Sequence, residues 1–160
     1  MHTLLRLLVV GTVLAVGSAS VASATTAADP AVGTWKLNLE KSKFSPGPAF
    51  KSQTRSYEAT ADGLKLTFSG VSADGSTVSG ESTFKYDGKD YPISGLADYD
   101  TLTLKRVSSH TITSTQKKAG KAVGTTTRTV SKDGKVMTLA SKGTSASGAA
   151  LNNTLVYDKQ

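Results

Sequence analysis

Asp62-Gly63-Leu64-Lys65-Leu66-Thr67-Phe68-Ser69-Gly70-Val71-Ser72-Ala73-Asp74-Gly75 is one strand set between two turns. Each end is an Asp-Gly pair. Asp-Gly suits a type I′ hairpin turn, whose two central residues both need positive φ; Gly takes it freely and Asp tolerates it. Between the pairs the side chains alternate. Leu64, Leu66 and Phe68 fall on one face, and Lys65, Thr67 and Ser69 on the other. A period of two with one apolar face marks a half-buried antiparallel strand.

The same unit recurs along the chain. Turns read at Ala61-Asp62-Gly63, Ala73-Asp74-Gly75, Tyr86-Asp87-Gly88-Lys89, Lys118-Ala119-Gly120-Lys121 and Lys132-Asp133-Gly134-Lys135, with Ser147-Gly148 a weaker sixth. Val78, Phe84 and Tyr86 oppose Glu81, Thr83 and Lys85; Leu102 and Leu104 oppose Thr103 and Lys105; Leu151, Leu155 and Tyr157 share a face. No helix-length apolar period competes with these runs. Strands are expected at 33–39, 52–60, 64–71, 76–86, 89–94, 100–107, 110–118, 121–131, 134–142 and 150–158. A meander of this kind leaves two open edges, and closing the sheet removes them. The expected fold is therefore all-β: an antiparallel up-and-down β-barrel of ten strands, with eight as the alternative count. The longest irregular link, Glu40–Ala49, is expected to form a short helix or a loop across one mouth.

The first residues read differently. His2 and Arg6 precede and interrupt an apolar run that continues from Leu7 to Val16, and Ala22-Ser23-Ala24 supplies small residues at cleavage-site spacing. A signal peptide, 1–24, is expected, cut after Ala24, with Ala28 as a second position. The run is too short and too broken by Gly and Ser to span a membrane. One domain, 25–160, is left, periplasmic or secreted and expected to be a monomer. The chain has no Cys, so neither a disulfide nor a lipid-modified N-terminal Cys is available. Losing Arg6 lowers the formal charge from +7 to +6. The lysines are dispersed and often lie beside turns, as Lys85, Lys89, Lys117, Lys118 and Lys121 do, where they keep sheets soluble. No basic block is interleaved with aromatics, so nucleic acid is not the expected partner.

Two further stretches carry a resemblance. The one Trp of the chain lies in Gly33-Thr34-Trp35, at the head of the first expected strand, and the chain closes on Leu155-Val156-Tyr157-Asp158-Lys159. In both, and in its strand count, the chain resembles the lipocalin and fatty-acid-binding-protein (calycin) group, and the short exported bacterial proteins described as lipocalin-like. The resemblance implies a barrel with a lumen for a lipophilic molecule, plugged at its narrow end by Trp35. The adjacent Gly33 would let the backbone pass close to a neighbouring strand. The fatty-acid-binding branch sets an Arg two residues before its closing-strand Tyr to hold a carboxylate. Tyr157 matches that Tyr, but Leu155 stands in the Arg position. Arg106, Arg55 and Arg128 are the other candidates. An inward Arg implies a structural acid or an anionic ligand, because an unpaired buried charge is costly; a rim or surface position is the plain alternative for each.

Little in the chain points to catalysis. Past the expected cleavage site the one histidine is His110, at an expected turn. It cannot by itself build a His-rich zinc site, and a Ser-His-Asp triad would depend on it. Each Asp-Gly turn holds one Asp, whereas Ca²⁺ needs six to eight oxygens. No catalytic residue, metal or cofactor is expected. Thr101–Thr129 is rich in hydroxyls, which either line a partly polar lumen or simply face outward as good strand residues. The expected function is non-enzymatic binding of a small lipophilic or amphipathic molecule. Leu66, Phe68, Phe84, Tyr86, Leu104, Arg106 and Tyr157 are its candidate site, with Leu64 and Leu102 adding apolar wall. The alternatives are a filled barrel that binds a protein or an envelope polymer by its surface, and an enzyme using the cavity.

Overall fold

A computed structural model describes residues 28–160. The expected signal peptide, 1–24, lies outside the described residues. Ten strands follow in order: β1 (Gly33–Lys43), β2 (Phe50–Thr60), β3 (Gly63–Ser72), β4 (Thr77–Phe84), β5 (Asp87–Pro92), β6 (Thr101–Arg106), β7 (Thr111–Lys118), β8 (Lys121–Val130), β9 (Val136–Thr144) and β10 (Ala150–Lys159). All belong to one antiparallel sheet in the order β4-β3-β2-β1-β10-β9-β8-β7-β6-β5. The first strand pairs with the last, Trp35 opposite Lys159 and Leu37 opposite Tyr157. This is an up-and-down barrel of ten strands, closed everywhere except at one seam.

The seam lies between β4 and β5, where the sequence suggests a hairpin at Tyr86–Lys89. No ladder forms there. Asp87 instead pairs with Lys105 of β6, and the register shifts before Asp90 pairs with Thr103. β5 ends on Pro92, which has no N–H to donate. The edges are tacked together by the Ser94 N–H on the Glu81 carbonyl (3.0 Å) and the Ser82 hydroxyl on the Pro92 carbonyl (2.7 Å). Backbone approaches are close here: a Cβ on Gly80 would stand 2.0 Å from the Ser94 oxygen.

The link after β1 also differs from expectation. Residues 40–43 remain in the strand, and only 44–49 form a loop. The reason is a bulge. Asn38 pairs with Val156, but the next pairing is Lys43 with Thr154. The Ser42 hydroxyl fills the gap by donating to the Asn38 carbonyl (2.6 Å) and accepting the Val156 N–H (3.0 Å). An unpaired insertion bends its strand and ends the alternation. Leu39, two residues past the buried Leu37, is accordingly exposed.

The inward faces form one core. Trp35, Tyr157, Phe84 and Met137 are its largest fully buried side chains. Alternation places them as expected: Leu64, Leu66 and Phe68 of β3 are buried while Lys65, Thr67 and Ser69 are not. Most threonines of Thr101–Thr129 face outward, with Thr113, Thr125, Thr127 and Thr129 exposed.

Candidate functional site: a cavity with an unpaired guanidinium

The two barrel ends are built differently. One end carries the start of β1 and the close of β10. Residues 28–32 fold across it. Ala31 is wholly buried, and the Trp35 indole donates to its carbonyl (2.7 Å). The Ala31 amide is held in turn by the Asp29 carboxylate (2.9 Å). Asp29 also faces two guanidiniums, Arg106 at 2.6 Å and Arg128 at 3.7 Å. Burial pushes its carboxyl up, but the Ala31 amide, the Arg106 bond and the Arg128 charge outweigh that and hold it below the usual carboxylate value. Tyr86 completes the cluster: its ring lies under Arg106 (4.4 Å), and its hydroxyl accepts from Arg128 (2.5 Å). This end is stoppered, and Trp35 is its plug.

The other end is open. A cavity of about 230 Å³ enters beside the 44–49 loop, the β5–β6 connection and the β9–β10 turn, with Phe50, Leu96, Tyr99 and Leu151 at its lining. Deeper, Leu66, Phe68, Phe84, Leu102, Leu104, Ile112, Leu139 and Leu155 give apolar walls. The volume falls just under the range of pockets that enclose drug-sized ligands.

The sequence candidates divide between these regions. Leu66, Phe68, Phe84 and Leu104 line the cavity. Tyr86, Arg106 and Tyr157 are not among its lining residues. Tyr86 and Arg106 belong to the Asp29 cluster, where Arg106 is at the rim and 40% exposed. Tyr157 is wholly buried, and its hydroxyl donates to Gln53.

Arg55 is the polar residue that matters most for the lumen. It is inward because β2 alternates Gln53, Arg55 and Tyr57 onto the core face; Gln53 and Tyr57 are both buried. Its guanidinium lies over the rings of Phe68 (5.7 Å) and Tyr157 (5.9 Å) and lines the cavity. Among the described residues no carboxylate pairs with it, and its Nε is buried without a partner. Nor do its nearest phenols supply a negative charge. Burial pushes Tyr99 up to about 12 against the pull of Arg55, and it pushes Tyr157 up as well. Tyr57 moves the other way: burial would raise it, but Arg55 and Arg128 together draw it down. The contrast with Arg128 is direct. Both lie over aromatic rings and both have an unpartnered Nε, but Arg128 has the Asp29 carboxylate at 3.7 Å and Arg55 has none in contact.

Sequence reasoning weighed Arg55 without placing it in the site, and it passed over Gln53, Tyr99 and Gln116. Among the described residues there is no group of three or more His, Cys, Asp or Glu suited to a metal ion. His110 sits in the turn after β6, with its Nδ1 2.9 Å from the Ser109 hydroxyl.

No protein-family model matches the chain, and no curated protein matches it. Among solved structures it is similar to the zebrafish ileal bile acid-binding protein complexed with cholic acid. That pair is 10% identical with a TM-score of 0.46, over 82% of this chain and 99% of that one. A redesigned β-barrel bound to DFHBI is 15% identical with a TM-score of 0.38, over 81% and 95%.

Proposed function

We propose that this protein is an exported, non-enzymatic barrel that holds a small amphipathic acid in its lumen. The apolar part lies against Leu66, Phe68, Phe84 and Leu104, and the anionic group meets Arg55. One observation carries the reading: a permanently charged guanidinium faces the cavity with no carboxylate in salt-bridge contact among the described residues, Asp98 of the same lining included. A half-buried charge without a paired carboxylate is incompletely solvated, and an anion in the lumen offsets that cost. Binding then supplies what the fold omits, and a charge-assisted bond in an apolar site is a strong one. The surface-module alternative has less support, because the lumen keeps its cavity. Export to the periplasm or the medium rests on the signal-like residues 1–24.

Denaturing organic extraction of protein purified from its own envelope or medium, followed by mass spectrometry, tests the reading. A stoichiometric acidic lipophile is expected. Returning it at about a hundred times its Kd should stabilise the stripped protein by about 2.7 kcal/mol. Absence of any co-extracted acid, together with an unchanged melting temperature across a panel of alkanoic acids, would refute it.

A further inference from the structure

Besides Arg55 Nε and Arg128 Nε, one more buried side-chain atom of the cavity lining lacks a partner, and it lies on the wall facing Arg55. Arg55 is on β2 and Gln116 on β7. Going round the sheet, β2-β1-β10-β9-β8-β7 is five steps, and across the seam β2-β3-β4-β5-β6-β7 is five as well. The two residues therefore stand on opposite walls of the same lumen, and both line the cavity.

Gln116 is 7% exposed. Its Nε2 donates to the Thr126 hydroxyl (2.5 Å), and that hydroxyl is bonded to Ser141 (2.7 Å). Its Oε1 is buried and has no partner. Such atoms are rare, because a buried acceptor left without a donor loses its water and gains nothing. The wall beside it is kept bare. Gly124 and Gly143 face each other across β8 and β9, and a Cβ on Gly124 would stand 3.1 Å from the Gln116 oxygen. The amide oxygen lies over the bare Gly124 position and is closed to solvent there, so a hydroxyl reaches it by turning the amide toward the lumen. If the amide is turned over, Thr126 donates to Oε1 and the free atom becomes Nε2. A hydroxyl satisfies either arrangement, since it both donates and accepts.

We propose that Gln116, held by Thr126 and Ser141, is a hydroxyl-reading subsite, and that the ligand is a hydroxylated acid rather than a plain one. Its anionic group sits at Arg55 and its hydroxyl at Gln116 on the far wall. This rests on the acid-binding reading of the lumen and adds a second fixed point to the ligand. Two polar anchors on opposite walls select by the distance between the ligand's two groups. A site built to bond a hydroxyl discriminates strongly against the analogue lacking it, because its own polar group is then left unpaired.

Calorimetric titration of the lipid-stripped protein with dodecanoic acid and with its 3-, 10- and 12-hydroxy derivatives tests this. At least one hydroxy acid should bind tenfold or more tightly than dodecanoic acid, and the preference should depend on hydroxyl position. Gln116→Met, close in shape, should erase that preference while dodecanoic acid binds at least as well as before. Thr126→Val, which frees the amide without removing it, should weaken the preference and serves as a second variant if the first folds poorly. The subsite is overturned if dodecanoic acid binds but no hydroxy acid exceeds it, or if Gln116→Met leaves the preference intact. If no acid of either kind binds, the acid-binding reading itself falls, and the subsite with it.

Discussion

The Trp35 indole N–H donates to the Ala31 carbonyl across 2.7 Å, and both residues are wholly shielded from solvent. The bond ties the segment before β1 to the plug of the barrel. Truncating a buried aromatic to Ala costs about 3–5 kcal/mol through lost contact and the cavity left behind. Trp35→Ala is expected in that range by equilibrium urea unfolding, and it also strands the Ala31 carbonyl. Trp35→Phe keeps most of the apolar contact and loses the donor, so about 1–3 kcal/mol is expected from the orphaned carbonyl and the lost ring. A loss below about 1 kcal/mol for the Ala variant would contradict the plug.

Asp29 should make stability depend on acid pH. Its carboxyl is held below the ordinary 3.8 in the folded state, so the folded form prefers it ionised. A depressed carboxylate adds stability that is fully present above the unfolded value and is lost as pH falls through the folded value. The window is therefore below about pH 4. Asp29→Asn should cost about 2 kcal/mol at pH 7. That is less than a fully buried pair would lose, because Arg106 is 40% exposed. The gap between the two proteins should close as pH is lowered past 4. Denaturant midpoints at pH 7, 5, 4 and 3 check this, and a pH-independent gap would show that Asp29 acts only by packing.

Much of this architecture is legible in alternation, and the exceptions have physical reasons. Leu64, Leu66 and Phe68 announce the inward face of β3, and Asp-Gly pairs announce the turns at 62–63 and 133–134. Alternation fails where a side chain substitutes for a ladder bond, as Ser42 does inside the β1 bulge. It fails again at Tyr86–Lys89, where turn chemistry is right for a hairpin but the strands on either side do not ladder together. The lumen is harder still. Hydropathy reads a polar residue on a strand as outward, yet Arg55 and Gln116 take the inward phase set by Tyr57 and Ile112. The phase was available from those neighbours; the missing counter-ion was not, because it depends on which strands stand opposite.

Arg55→Met should separate stability from function. Replacing a half-buried charge that has no paired carboxylate by an apolar side chain of similar length removes part of a desolvation cost, so a gain of about 1 kcal/mol is expected in the ligand-free protein. The same change should abolish acid-dependent stabilisation in thermal shift assays. Loss of stability together with retained acid binding would mean that Arg55 serves the fold and not the ligand.

Ala119 has a φ of 48° in the β7–β8 turn, with Gly120 following at 77°. A Cβ in the left-handed region costs roughly 1–2 kcal/mol, while Gly in an unfolded chain gives back about 0.5–1 in entropy. Ala119→Gly should therefore stabilise by about 0.5 kcal/mol, and Ala119→Asn by a similar amount. The Ala119 amide keeps its bond to Asp100 (3.1 Å) in either variant. Thermal denaturation resolves the sign: a fall in melting temperature for both would show that the turn does not hold this conformation in solution.

The β4–β5 seam should be the weakest line in the wall. It has few backbone bonds, and its strands approach so closely that Gly80 has no room for a methyl: the Ser94 oxygen would be 2.0 Å away. A backbone oxygen cannot swing aside as a flexible side chain can. Gly80→Ala must therefore push the Ser94 segment outward and break the Ser94 N–H bond to Glu81. About 2 kcal/mol of destabilisation is expected, in the range for overpacking a tight contact. The effect should be local. Amide exchange at Ser94 should rise well beyond the global change, while amides of the β9–β10 ladder, on the other side of the barrel, should rise only by the global amount. Uniform acceleration across all ten strands would mean that the seam unfolds with the rest of the barrel and is not a separate opening unit.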